Sequence, residues 1–278
     1  MIQTQHVIMG FPDSGKTTFL AALWHVLDVG TATSLRLESI SGDMQYLNEI
    51  KNTWIKCQNV PRTLISSEEM VEMTIRNTAQ NEISILRLPD FSGETFQSLV
   101  TERRCDSGLV EILNDAAGIL FFVKADRAND MLAVTDHNYP DDELDLELGA
   151  SGDFEPRNIP EQTRIIDLLQ LLQSAPFYPS RRRLVIAVSA WDVIADEGID
   201  PEGWIAREMP MLDQFLTNAS RTYEIRICGI SAQGGRFEGQ DRELLLEETP
   251  SERVVCVWEA KTGVDITLPL TWLCGDDG

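Results

Sequence analysis

Basic residues are scarce in this chain. Twenty-three Lys and Arg stand against 45 Asp and Glu in 278 residues, a formal net charge of −22. A surface this anionic repels phosphate backbones and anionic headgroups, which argues against direct nucleic-acid binding and against a membrane partner. Long apolar runs are also lacking. The strongest, Ala116 to Val123, is far short of the roughly 20 residues that span a bilayer. The first residues carry no basic segment followed by a long apolar stretch, so a cytoplasmic protein is expected. Cys57, Cys105, Cys228, Cys256 and Cys274 are scattered, odd in number and without a C-x-x-C pair. They point to reduced, mostly buried thiols rather than a disulfide framework. Asp141, Asp142, Glu143, Asp145 and Glu147 lack the glycine and carbonyl spacing of a calcium loop and read as loop charge. Internal repeats are absent.

What is present begins at the amino terminus. A strand-like run, residues 2–9, leads directly into Gly10-Phe11-Pro12-Asp13-Ser14-Gly15-Lys16-Thr17, and a helix-like stretch follows from Thr18 to Asp28. This is G-x-x-x-x-G-K-T between a strand and a helix. The glycines let backbone N–H groups turn inward as an anion nest, and the helix N-terminus adds partial positive charge. Lys16 supplies a point charge for outer phosphates, and the Thr17 hydroxyl can ligate Mg²⁺.

Apolar runs with strand character recur at Val7–Met9, Met70–Ile75, Ile83–Leu88, Gly118–Val123, Leu184–Val188 and Tyr223–Ile230, with helix-like stretches such as Phe19–Leu27 and Thr163–Leu172 between them. Such alternation predicts an α/β fold with a largely parallel sheet and helices on both faces. The turn Asn77–Asn81 joins two of the strands and predicts an antiparallel hairpin at one edge. Two stretches read as insertions, 35–60 and 129–160, and 244–278 as a C-terminal extension. The first holds a strand-like Leu35–Glu38 and a helix with Tyr46, Leu47, Ile50, Trp54 and Ile55 near helical spacing, read as a helix packed on the domain edge. The second is acidic and aperiodic, a loop that offers a docking segment for a protein partner. Arg181-Arg182-Arg183 reads as a solvated strand start, with a clasp for the acidic insertion as the alternative.

Three further strand ends carry candidate chemistry. Leu88-Pro89-Asp90-Phe91-Ser92-Gly93-Glu94 places an Asp after a strand and a Gly three residues on. In phosphate-loop enzymes such an Asp reaches Mg²⁺ and such a Gly offers its N–H to the γ-phosphate. Leu184 to Asp192 delivers Asp192 at a strand tip. A carboxylate there accepts from the N1–H and amine of guanine and is left unpaired by adenine; a helix N-cap is the equal alternative. Ile225 to Gln233 ends in Ser231-Ala232, a turn able to point a backbone N–H at the guanine O6.

In order and spacing these four signals resemble the translation-factor-related, Ras-like GTPases. The resemblance implies a Ras-like phosphate-loop fold with a six-stranded, mostly parallel sheet, one antiparallel edge strand, and a GTP/GDP–Mg²⁺ site. It assigns phosphate binding to Gly10, Asp13, Ser14, Gly15, Lys16, Thr17 and Thr18, the metal to Thr17, Thr63 and Asp90, γ-phosphate sensing to Gly93, and the base to Asp192, Ser231 and Ala232. The first switch requires a Thr before the edge strand. Thr63 in Val60-Pro61-Arg62-Thr63 fits by strand order, with Thr31 and Thr33 as rivals. Within the class, the loop Gly-Phe-Pro-Asp-Ser-Gly-Lys-Thr-Thr, the Pro-Arg-Thr element, Trp191-Asp192 and the tail Val264–Trp272 resemble the double-GTPases of prokaryotic conflict systems.

The chain departs from that pattern in three places. Ser189 and Ala190 stand where the base motif Asn-Lys-x-Asp has Asn and Lys, so the lysine stem over the base is missing, and Trp191 is a candidate substitute. Glu94 stands at the place of the water-orienting Gln, which predicts slow or partner-stimulated turnover. Asp13 stands where some relatives hold K⁺ with Asn, which makes K⁺ a candidate cofactor. The expected function is a GTP·Mg²⁺ switch. Lys16 would stabilise the transferring phosphoryl group, Thr63 and the Gly93–Glu94 segment would order around it, and Glu94 or a partner would place the water. The alternative is a nucleotide-binding assembly subunit with little hydrolysis.

Overall fold

The computed structural model describes residues 4–32, 34–60, 70–89, 93–126 and 159–275. In chain order the elements are β1 (Thr4–Gly10), α1 (Lys16–Val29), β2 (Leu35–Ser41), α2 (Met44–Ile55), β3 (Val71–Asn77), β4 (Ile83–Leu88), α3 (Glu94–Glu102), α4 (Ser107–Asp115), β5 (Ala116–Lys124), α5 (Glu161–Leu171), β6 (Arg182–Ser189), α6 (Pro201–Glu208), α7 (Pro210–Asn218), β7 (Tyr223–Ser231), α8 (Gly239–Glu247), β8 (Val255–Trp258), β9 (Lys261–Gly263) and α9 (Leu268–Leu273). The α/β class follows, but the six-stranded sheet does not. Among the described residues nine strands pair in the order β2-β3-β4-β1-β5-β6-β7-β8-β9.

The centre of this sheet is parallel: β4, β1, β5, β6 and β7 run in one direction. Both flanks are antiparallel. The β3–β4 hairpin is not at the edge, because β2 pairs outside it. The added strands lacked a strong apolar signal for a physical reason. Of β2, only Leu35 is fully buried, and β9 is three exposed residues. Edge strands bury little and carry weak periodicity.

Side-chain alternation sends the central strands into two cores, one on each face. Ile8, Leu120 and Phe122 join α1, α2 and the C-terminal elements. Val7, Met9, Phe121 and Val123 join α3 to α7. Each buried aliphatic or aromatic side chain contributes on the order of 1.5–3 kcal/mol, so β1 and β5, buried on both faces, are anchored firmly at the middle of the fold. Local stops set the helix ends. Gly30 closes α1 in the left-handed region and returns its N–H to Val26, while Asp43, Asp106 and Asp200 cap α2, α4 and α6. Leu47, Ile50 and Trp54 form the buried face of α2.

The Arg181–Arg183 triplet is not one solvated patch. Arg182 is buried and donates to the carbonyls of Ala116, Leu172, Leu113 and Tyr178. Arg183 is half-buried, donates to the Trp272 carbonyl at 2.6 Å and lies over the Trp272 ring. Only Arg181 is exposed. Arg183 thus supports the C-terminal tail, while Arg182 ties together the ends of α4 and α5. All five cysteines are free; Cys105 is partly exposed and the other four are buried. Burial pushes the Cys256 thiol up to about 12 and the Cys274 thiol up to about 11, so both stay protonated and unreactive. Among the described residues no helix is long and apolar enough to cross a membrane.

Candidate functional site

The parallel strands all discharge at the same end of the sheet, where ligands of open α/β folds bind. β1 ends at Gly10, β5 at Lys124, β6 at Ser189 and β7 at Ser231. Beyond those tips lies a cavity of about 500 Å³ whose wall includes Asp13, Gly15, Thr18, Lys124, Asp192 and Ala232.

The phosphate-loop end is built by conformation. Asp13 (φ 62°) and Gly15 (φ 90°) both take left-handed backbone, the alternation that turns successive N–H groups to one side. Gly15 is required twice over. Its φ favours glycine, and a Cβ there would lie 2.9 Å from the Cβ and Oγ of Ser189. Helix α1 opens on this glycine without a side-chain cap and without an acid in its first turn, so no side chain of its own compensates its N-terminal donors. Lys16 is buried. Its ammonium donates to the Gly10 carbonyl at 2.8 Å, the Phe11 carbonyl at 2.9 Å and, more loosely, the Ser14 hydroxyl at 3.3 Å. The first two bonds lock the lysine inside the loop. The third goes to a neutral oxygen that an anionic phosphate would outcompete.

The opposite end of the cavity is a hydrogen-bonded turn. Ser231 Oγ donates to Asp192 Oδ1 at 2.5 Å and accepts from the Gly234 N–H at 2.9 Å. Asp192 is among the residues that line the cavity, in a 3₁₀ turn whose N-cap is Ala190, so it is not the cap. Trp191 does not cover a base. It is buried against Gly229, where a Cβ would collide with the indole. The two ends are joined by Ser189, whose hydroxyl donates to the Ser14 carbonyl at 2.8 Å.

Gly93 (φ 80°) brings the Gly93–Glu94 segment against the loop. A Cβ there would be 2.6 Å from the Gly10 oxygen and 2.7 Å from the Pro12 nitrogen. Glu94 follows as the exposed first residue of α3. Thr17 lies in the first turn of α1. Thr31 hydrogen-bonds Val26 at the far end of α1, a full helix away from the loop. Thr63, Asp90, Thr33 and residues 129–158 of the acidic insertion lie outside the described residues.

The fold thus gathers Gly10, Asp13, Ser14, Gly15, Lys16 and Thr18 with Gly93, Asp192, Ser231 and Ala232. Sequence reasoning missed Ser189, Lys124 and Asn59. The signal for Ser189 was its place in the base motif. For Lys124 it was a lone charge at the end of an apolar strand. Asn59 reaches the wall from the segment after α2 and carried no local signal.

Several solved structures are distantly similar. The Ski7 GTPase-like domain of S. cerevisiae bound to GTP is 13% identical, with 84% of this chain and 44% of that chain covered and a TM-score of 0.41. A bacterial selenocysteine-specific elongation factor, EF-Sec, is 14% identical over 90% of this chain and 30% of that one, TM-score 0.41. Sup35 complexed with GDP is 13% identical over 84% and 38%, TM-score 0.35. The chain therefore spans less than half the length of each of these proteins. No curated protein matches it. The family model for Double-GTPase 1 matches residues 7–273, nearly the whole sequence, and the chain belongs to the Double-GTPase 1 family.

Proposed function

We propose that the chain binds GTP and GDP in the cavity at the strand tips and hydrolyses GTP slowly, as a switch. One observation carries this reading. The Ser189–Ser14 bond ties the loop holding Lys16 to the turn holding Asp192, with a cavity of about 500 Å³ along them. That volume falls in the range of small-molecule sites. The phosphates would lie on the loop amides and the Lys16 ammonium. The base would lie against Asp192, with Ser231 orienting the carboxylate and the Ala232 turn facing O6.

The donor set fits Mg²⁺ as a companion of the nucleotide. Thr17 would give a hydroxyl at the helix start, with Asp90 as the second protein group. When bound, the ion would neutralise charge on the phosphates. Few protein ligands suffice, since Mg²⁺ keeps waters and phosphate oxygens. Asp13, exposed on the cavity wall, is the residue that would attract K⁺.

The non-hydrolysing assembly subunit keeps support from Glu94. Its carboxylate sits at the first helical position of α3, where the helix dipole favours an acid for purely structural reasons. An anionic group is also poorly suited to approach an anionic γ-phosphate. The resemblance to paired GTPases of conflict systems supports a place in a bacterial multi-protein defence system, with partners meeting the switch segments or the acidic insertion.

Single-turnover hydrolysis of GTP and ATP by the purified chain and by Lys16→Ala tests the proposal. Slow GTP cleavage lost in the variant is expected. Binding of GTP without cleavage selects the assembly subunit, and unchanged GTP affinity in Lys16→Ala overturns the site assignment.

A further inference from the structure

The helix that reads from sequence as an edge element is tied to the base end of the cavity. The Trp54 side chain of α2 is fully buried. Its indole N–H donates to the Ala232 carbonyl at 2.7 Å, 178 positions away in the chain. The Arg253 guanidinium lies 4.8 Å from the Trp54 ring centre, and the His25 ring of α1 packs against the indole at a tilt of 47° with a centroid distance of 5.3 Å. The end of α2 is held as tightly. Arg253 donates to the carbonyls of Trp54 and Ile55 and to Cys57 Sγ, and Arg242 donates to the carbonyls of Cys57 and Lys56.

A planar trans peptide points its N–H opposite to its C=O. The indole therefore fixes the orientation of the 232–233 peptide, and the Gln233 N–H faces away from Trp54. Ala232 and Gln233 both belong to the cavity wall. The same turn is pinned from its other side by Ser231 on Asp192. Immediately beyond the Arg-capped end of α2, Asn59 reaches the same wall.

We infer that Trp54 is a positioning residue for base recognition, and that α2 with its Arg242 and Arg253 caps forms a buttress that couples the base turn to the chain segment entering the first switch. This inference rests on the nucleotide site proposed above. Holding the peptide plane in advance spares the ligand the cost of ordering it. The benefit goes to a purine that offers an acceptor at its six position, and not to one that offers an amine there.

The test is competition binding of GDP, IDP and ADP to the full chain and to Trp54→Phe, which keeps the ring and removes the donor. GDP and IDP are expected to weaken together about tenfold, the size of one lost oriented hydrogen bond, while ADP is unchanged. The preference for GDP over ADP then falls about tenfold. Equal weakening of all three, or no change, overturns the inference and leaves the nucleotide site standing. Failure of the unaltered protein to bind any of the three removes the site itself. If Trp54→Phe does not fold, hydrogen exchange on the unaltered chain decides. GDP is expected to protect residues 44–58 and 231–234 together; protection of the turn without the helix overturns the coupling.

Discussion

The Ser189 hydroxyl donates to the carbonyl oxygen of Ser14 at 2.8 Å, and Gly15 passes so close to Ser189 that no larger residue fits between them. A base-motif strand and a phosphate loop are thereby fastened to each other across the site. Removing the donor leaves a buried carbonyl without this partner, at a cost of about 1–3 kcal/mol. Ser189→Ala is expected to lower guanine-nucleotide affinity about tenfold and to reduce Tm by several degrees. Isothermal titration with GDP and a thermal melt check both, and an unaltered affinity means that the link does not shape the site.

Asp192 is held by Ser231 through Oδ1, which leaves its other oxygen available for a base. In Asp192→Asn the amide oxygen can still accept from Ser231, while the amide NH₂ replaces a charged acceptor with a donor. Preference is expected to move from GDP to XDP by at least about tenfold. Competition of the two diphosphates against a fluorescent GDP measures it. If base preference is unchanged, Asp192 does not read the base.

Lys124 shares the cavity wall with Asp13 and Asp192 and is the one cation among the described residues that line it. Its pairing with Asp126, 3.6 Å away with both side chains well exposed, is of the kind that holds a side chain only weakly. Lys124→Ala is expected to weaken GDP and GTP binding about tenfold and to flatten the salt dependence. Lys124→Met, which keeps the stem, separates packing from charge. Affinities unmoved from 50 to 300 mM salt in all three proteins, a range over which the Debye length falls from about 14 to about 6 Å, would remove Lys124 from the site.

Stability has a pH dependence of its own. His6 is buried in β1, and burial, with help from the Arg183 charge, lowers its imidazole from 6.5 to about 4. Between those values the unfolded chain binds the proton and the folded chain does not, so stability falls as pH drops from about 6.5 to about 4 and is fully present above 6.5. The loss amounts to roughly 3 kcal/mol. Denaturant titrations from pH 7.5 to 4.5 should show the decline, and His6→Phe should reduce its slope without altering nucleotide affinity at pH 7.5.

The parts legible in the sequence were those in which local pattern and local structure coincide. β1, β5 and β6 are buried on both faces and read as unbroken apolar runs. The glycine-lysine loop is a motif because its conformation depends on its own residues. The outermost strands were less legible: Leu35–Glu38 already read as strand-like, but β9, with sequence Lys-Thr-Gly, is three exposed residues paired to β8 and carries no apolar signal. The supports of the site were hidden for a different reason. Trp54 has the spacing of an ordinary helix face, and nothing near it in sequence announces a carbonyl at Ala232. Arg182 looked like surface charge, but it makes four hydrogen bonds to carbonyls at the end of α4, the start of β5, the end of α5 and the approach to β6. Contacts across the fold leave little trace in a local window.

The most direct measurement is the identity of the nucleotide released when the purified full chain is denatured, followed by rebinding of GDP and ADP to the stripped protein. The account predicts GDP or GTP in the released fraction and rebinding of GDP at least about a hundredfold more tightly than ADP. Release of adenine nucleotides, or a stripped protein that binds neither diphosphate, would contradict it.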